Sequence, residues 1–252
     1  MKILASVLMV FVMLFTVSAP APAHFGMLLA EPPYVELMDK NQAALQLRFW
    51  HPRENQGMNM VKPEAFGVWH NGAKQDLLPT LKVANEQGWE YWQSGYTFSA
   101  PSDYIFYYTP APYWEPAENR FIVHHTKLVV DAFAMQDGWD TVLGLPVEIV
   151  PLTRPYGLYA GNSFTGQVLQ NNQPLPDCEV EVEFYDPKGE KPASREALVT
   201  QVVKTDNNGC FTWAFPWSGW WGMAALADGG QITVDNRSAD LEVGGVLWIY
   251  ID

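Results

Sequence analysis

Apolar and polar residues alternate along much of this chain with the period of a β-strand. Residues 43–50 read Ala-Ala-Leu-Gln-Leu-Arg-Phe-Trp, and residues 102–108 and 121–130 are equally rich in β-branched and aromatic residues with Pro, Gly or Asn at their edges. Asn71-Gly72 is the strongest two-residue signal for a β-hairpin. Because no stretch sustains a helical period, the pattern predicts an all-β fold.

The second half reads as a separate β-sandwich. Pro146, Pro151 and Pro155 interrupt the pattern and predict a linker near residues 149–156. We therefore predict two β-sandwich-like domains, at residues 24–150 and 151–252. Residues 166–182 and 205–211 resemble the carboxypeptidase-regulatory or transthyretin-like module, and this resemblance implies a fold but no function.

Residues 1–23 have the pattern of a secretory signal peptide. A positive start is followed by an apolar run over residues 3–17 and by Ala21-Pro22-Ala23, a small-x-small cleavage site. Cleavage after Ala23 leaves His24 as the first residue of the mature protein. No later segment is long and apolar enough to span a membrane, so we expect a soluble protein exported to the periplasm.

The net charge excludes some classes of binding partner, and the two cysteines allow a disulfide. The 252 residues carry a formal net charge of −13, which argues against nucleic acid or an anionic membrane surface as a partner. Cys178 and Cys210 are the two cysteines. Export permits a disulfide between them, and the sequence leaves that pairing open.

An N-terminal histidine is a natural chelator of transition metals. The α-amino group loses its proton readily near neutral pH, and it can close a chelate ring on a metal together with the imidazole Nδ1 of His24. The other four histidines, His51, His70, His124 and His125, all lie before residue 126. Since adjacent strand residues point to opposite faces, only one of His124 and His125 can face a common site. Imidazole and amine ligands suit Ni, Co, Cu or Zn.

The chain also resembles a known family over nearly all of its mature length. Residues 66–72, 111–118, 144–156, 219–225 and 245–249 are similar to the periplasmic nickel/cobalt-binding component found beside energy-coupling-factor-type transporters. The resemblance implies capture of Ni(II) or Co(II) and delivery to membrane transporter subunits. The chemistry of the ligands leaves Cu(II) or Zn(II) as other possible ions. It implies His24, His51 and His124 as metal ligands, with His70 as a fourth. Whether a small chelator travels with the ion stays open.

Two other classes of function remain as alternatives. The sequence contains no GxSxG elbow, P-loop, HExxH or dinucleotide-binding motif, so we predict that the protein is not an enzyme. The first alternative is a histidine-brace copper protein or oxidase acting on glycans. Thioethers such as those of Met58 and Met60 favour copper, and the tryptophan-rich residues 217–222 could stack on sugars. The second is a carbohydrate-binding or adhesive β-sandwich with no metal. Glu115 and Glu118 are weaker candidates that could complete a metal site.

Overall fold

The computed structural model describes residues 24–36 and 40–252, and the predicted signal peptide at 1–23 lies outside them. Within these ranges the chain forms strands, two short 3₁₀ helices (Leu78–Thr80 and Glu196–Leu198) and no α-helix, which confirms the predicted all-β class. No helix in the described part is long and apolar enough to cross a membrane. The strands are β1 (Phe25–Glu31), β2 (Gln42–His51), β3 (Gln56–Met58), β4 (Ala65–His70), β5 (Ala73–Asp76), β6 (Lys82–Glu86), β7 (Trp89–Thr97), β8 (Ser102–Thr109), β9 (Tyr113–Glu115), β10 (Arg120–Ala132), β11 (Val147–Pro151), β12 (Ser163–Gln170), β13 (Gln173–Pro174), β14 (Glu179–Phe184), β15 (Gln201–Lys204), β16 (Cys210–Ala214), β17 (Gly219–Val234) and β18 (Arg237–Ile251).

The strands build three sheets that stack in layers around a central one. The first sheet has the order β1-β2-β7-β6, with β3 beside β2. The central sheet runs β15-β14-β17-β18-β10-β8-β4-β5, with β9 beside β10. The third runs β11-β12-β13, with β16 beside β12. One face of the central sheet packs on the first sheet and the opposite face packs on the third, because alternate side chains of each central strand point to opposite faces.

The central sheet crosses the predicted domain boundary. Residue 150 falls inside β11, and β18 from the C-terminal half lies parallel to β10 from the N-terminal half, with His124 opposite Gly244. Trp248 of β18 is buried in the core that the first sheet covers. The two halves therefore share one sheet and complete each other's cores.

Asn occupies the left-handed region of the backbone in several turns of the described chain. Asn71 and Gly72 (φ 48° and 78°) join β4 to β5, which confirms the predicted hairpin. Asp235 and Asn236 (φ 49° and 64°) join β17 to β18 in the same way. Two positive φ angles in succession are typical of the type I′ turn, whose twist matches that of paired strands.

Two details of the cores concern buried polar or reactive groups. Lys127 and Glu148 form an ion pair of 2.6 Å between side chains that are each 1% exposed. The same carboxylate accepts hydrogen bonds from the backbone N–H groups of residues 143–145. Cys178 is buried, Cys210 is half-buried, and both are free thiols. The sequence left open whether Cys178 and Cys210 form a disulfide, and the structure has no disulfide between them.

Candidate metal centre

The pairing of β1 with β2 brings His24 to His51. Phe25 lies opposite Trp50 in this antiparallel pair, so the next position along each strand places His24 beside His51. Their ring centroids are 4.3 Å apart. The side chain of His24 is only 10% exposed, and His51 is buried.

His124 approaches the same place from the central sheet. It lies on β10 with its ring against Phe49, at 6.2 Å between centroids, and Phe49 also stacks on His24 at 5.6 Å. Two glycines make room for this histidine. A Cβ on Gly244 would lie 2.5 Å from Cδ2 of His124, and a Cβ on Gly26 would lie 3.2 Å from its Cβ.

Each of two histidines has a carboxylate at its Nε2. His24 Nε2 lies 3.1 Å from Oε2 of Glu115, and His124 Nε2 lies 3.3 Å from Oε1 of Glu242. A carboxylate can only accept, so in a neutral ring the nitrogen that faces it carries the proton. Nδ1 is then the nitrogen with a free lone pair. In His124 this Nδ1 is buried and has no hydrogen-bond partner. A carboxylate behind a histidine is the arrangement that orients histidine ligands in metal sites.

Further contacts hold both carboxylates in place. Glu115 is buried and accepts a hydrogen bond of 2.8 Å from the backbone N–H of Ala117. Glu242 also accepts from Nη1 of Arg120 at 3.3 Å. Burial raises the pKa of Glu242, but the hydrogen bond from His124 and the charge of Arg120 outweigh this effect and leave the pKa lowered.

The environment of His24 keeps its imidazole neutral. Burial, reinforced by the neighbouring His51 and His124, lowers the pKa of His24 to about 4. Its ring is therefore uncharged at neutral pH, which is the form that binds metals.

The structure does not bring the other two histidines to this cluster. His70 is at the end of β4 and stacks on Tyr104 at 4.6 Å. This position is far from the cluster. Thr109, which contacts His125 next to His124, lies five residues from Tyr104 on β8, or roughly 16 Å along the strand. His125 is buried on the opposite face from His124, with Nδ1 3.0 Å from the Thr109 hydroxyl. Burial lowers its pKa to about 4.

The side chains of the cluster are close but do not yet surround an ion. Among the described residues, no three His, Cys, Asp or Glu side chains stand in a geometry that would hold a metal. The donor set inferred from the sequence includes one group that is not a side chain, the α-amino group of His24. That group is part of a peptide bond in the full-length chain, and it would become a free amine only through the cleavage after Ala23 that the sequence predicts.

One member of the cluster, Glu242, was not identified from the sequence. It lies 118 residues from His124, and only the parallel pairing of β10 with β18 brings them together. A local signal does exist. Gly244-Gly245 lies inside β18 directly before the apolar residues 246–249, and glycine inside a strand often marks a close approach by another group. Glu118 lies near Glu242, since the guanidinium of Arg120 is 3.3 Å from each of these carboxylates. Burial and the charge of Glu242 raise the pKa of Glu118.

The other aromatic and sulfur groups singled out in the sequence are mostly packed. Trp221 is buried and donates a hydrogen bond to the carbonyl of Trp217, so this aromatic stretch belongs to the core rather than to an open stacking surface. Met58 packs against the core between the first and central sheets. Met60 is buried and lines a cavity together with His124.

Comparison with known proteins identifies a family without a known function. Residues 21–229 match DUF4198, a domain of unknown function. No curated protein matches the chain significantly. Among solved structures, the D0-D1 domain of intimin is 10% identical with a TM-score of 0.24, and covers 89% of this chain and 99% of its own. The fibronectin(III)-like modules of Clostridium thermocellum CbhA are 7% identical with a TM-score of 0.21, covering 88% and 95%. Likenesses this weak say nothing about function.

Proposed function

We propose that this chain, which belongs to the DUF4198 family, is an exported metal-binding protein that captures Ni(II) or Co(II) and supplies the ion to a membrane transporter. In this proposal it binds its cargo and catalyses no reaction. The α-amino group and Nδ1 of His24, with the imidazoles of His51 and His124, are the ligands. The family resemblance implied His70 as a fourth ligand, but we leave it out. The end of β4 nearer the cluster is Ala65, opposite Thr109, whereas His70 is at the other end and stacks on Tyr104.

One observation carries the proposal. Three histidines from three separate strand segments converge in a largely buried cluster, and carboxylates hold two of them by Nε2, which leaves Nδ1 free. Buried imidazole nitrogens are normally satisfied by hydrogen bonds, yet Nδ1 of His124 has no partner. Nδ1 of His70 also has none, so the unpaired nitrogen supports the proposal only together with the position of His124 in the cluster. An amine and up to three imidazoles form a nitrogen set that suits Ni(II), Co(II), Cu(II) or Zn(II) better than Ca²⁺ or Mg²⁺.

The burial of the cluster favours cargo binding over the copper-oxidase alternative. A histidine-brace enzyme that acts on a glycan must present its metal to a polymer chain. Here the side chain of His24 is 10% exposed and that of His124 is 2% exposed. Such a site suits an ion or a small complex better than an extended polysaccharide.

The test uses protein exported and processed by its own signal, with His24 confirmed as the first residue by intact mass. Calorimetric titration with Ni(II), Co(II), Cu(II) and Zn(II) should give one-to-one binding, tightest for Ni(II) or Co(II). A form that retains Ala23 ahead of His24 should bind far more weakly, because its amine is an amide. His124→Ala should lose more than the roughly 10–100-fold that removal of an outer-shell partner costs.

His70→Ala is the matched control, because it also removes one imidazole from the same half of the chain. It should bind metal like the unmodified protein. Absence of binding, or binding that is indifferent both to Ala23 and to His124→Ala, would overturn the proposal. Tight binding of Cu(II) alone, with oxygen consumption in the presence of a reductant, would favour the copper alternative.

A further inference from the structure

An apolar cavity opens directly beside the proposed metal ligands. It has a volume of about 120 Å³ and lies between β2, β10 and the loops at residues 59–61 and 110–112. Its walls include Phe49, Met60, Tyr113, Trp114, Ile122 and His124. By contrast, the buried groups Lys127 and Glu148 are already paired with each other.

The cavity and the histidine cluster share their walls. His124 belongs to both, and its Nδ1 is buried and has no hydrogen-bond partner. Phe49 and Tyr113 line the cavity and also lie against the ring of His24, at 5.6 and 6.1 Å between centroids. A metal held by His24 and His124 would therefore border this space.

The character of the walls decides what can fill the space. Water molecules on a hydrated ion are strong hydrogen-bond donors, and aromatic rings and a thioether accept such bonds poorly. Leaving those donors unpaired in an apolar cavity costs free energy. A ligand that uses its polar atoms on the metal and turns an apolar face to the protein avoids this cost.

The size of the cavity suggests how large that ligand is. An apolar cavity of roughly 150 Å³ in another protein takes up one benzene molecule. The cavity beside His124, at about 120 Å³, is of similar size. It suits one aromatic ring, for which edge and face contacts with Phe49, Tyr113 and Trp114 are favourable.

We infer that the cargo is a complex of the metal with a small organic chelator that carries one aromatic nitrogen heterocycle, and that the ring occupies this cavity. The inference rests on the proposed function. The histidines supply part of the coordination sphere, and the chelator supplies the remaining positions that water would otherwise occupy.

Two bidentate diamine probes separate the contribution of the ring from that of the donor atoms. 2-(Aminomethyl)pyridine and ethylenediamine each bind Ni(II) through two nitrogens, but only the first carries a ring. The processed protein should bind the one-to-one Ni(II) complex of 2-(aminomethyl)pyridine at least tenfold more tightly than that of ethylenediamine. Equal affinities for the two complexes would overturn the inference.

Filling the cavity locates the effect. Ala111 lines the cavity, and Ala111→Phe places a ring of the protein in the space that we assign to the ligand. The tenfold preference should disappear in this variant. If it fails to fold, Val61→Trp serves instead, because Val61 also lines the cavity yet is 65% exposed and tolerates a larger side chain. A preference that persists in the folded variant would overturn the inference.

Titration of the unmodified, processed protein with Ni(II) alone keeps the two proposals distinguishable. Binding of Ni(II) without any preference for the ring-bearing complex would leave the histidine site standing and reject the organic ligand. Failure to bind Ni(II) either alone or as a complex would reject the proposed function and the inference together.

Discussion

Gly244→Ala tests whether the position of the His124 ring controls metal binding. Gly244 lies opposite His124 on the neighbouring strand, and a Cβ added there would lie 2.5 Å from Cδ2 and 3.0 Å from Nε2 of His124. Non-bonded carbon atoms at their best separation are about 3.5 Å apart, so the ring has to move by about 1 Å. Its Nε2 contact with Glu242 is already 3.3 Å long, and a shift of that size breaks it.

Two consequences follow with different magnitudes. Overpacking of a buried site destabilises the fold by about 1–3 kcal/mol. Loss of the outer-shell carboxylate contact weakens metal binding by about 10–100-fold, or about 1.4–2.7 kcal/mol. Thermal unfolding measures the first effect. Calorimetric titration of the processed protein with Ni(II), well below the unfolding temperature, measures the second.

Gly95→Ala is the matched control for this substitution. Gly95 lies on β7, its φ is not positive, and a Cβ there would meet no atom within 4 Å. It should leave both stability and Ni(II) affinity close to those of the unmodified protein. Suppose that Gly244→Ala is destabilised by less than about 1 kcal/mol and binds Ni(II) with unchanged affinity. The ring position of His124 then does not control metal binding, and the prediction is wrong.

Three further predictions concern the cores. Glu183 is 1% exposed, and burial raises its pKa to about 8. Between pH 4.5 and 8 the folded state therefore holds a proton that the unfolded state has released, so the free energy of unfolding falls as pH rises. Glu183→Gln should therefore be as stable as the unmodified protein near pH 4.5 and more stable by at least ~1 kcal/mol at pH 8.5 in urea unfolding; parallel pH profiles would contradict this. Lys127→Met leaves the buried carboxylate of Glu148 without its cation and should cost about 3–5 kcal/mol of unfolding free energy, whereas a cost below ~1 kcal/mol would show that the backbone N–H groups suffice. Since Cys178 and Cys210 are free thiols, a reductant should leave the melting temperature unchanged. A loss of about 2–4 kcal/mol in unfolding free energy, which is typical of a broken disulfide, would show that the two cysteines are bonded to each other.

The all-β class and several local features were readable from the pattern of residues. Period-two alternation over residues 43–50 became β2, and the Asn71-Gly72 pair became a two-residue hairpin, since both depend on backbone preferences over a few residues. The alternation also predicted that His124 and His125 face opposite sides of one strand, which the structure confirms. The signal peptide and its cleavage site remain predictions, because they fall on residues 1–23.

Contacts between distant segments decided the rest. The sequence does not show that β18 lies parallel to β10, because parallel pairing depends on how the intervening segments pack and not on local periodicity. That pairing sets Glu242 against His124, opens a place for the ring at Gly244, and joins the two predicted domains in one sheet. Likewise His70 has the same chemistry as His51. The register of β1 on β2 brings His51 to His24, whereas the pairing of β4 with β8 sets His70 against Tyr104. The sequence by itself determined the strands and the candidate ligands, and the long-range pairing of strands decided which of those ligands meet.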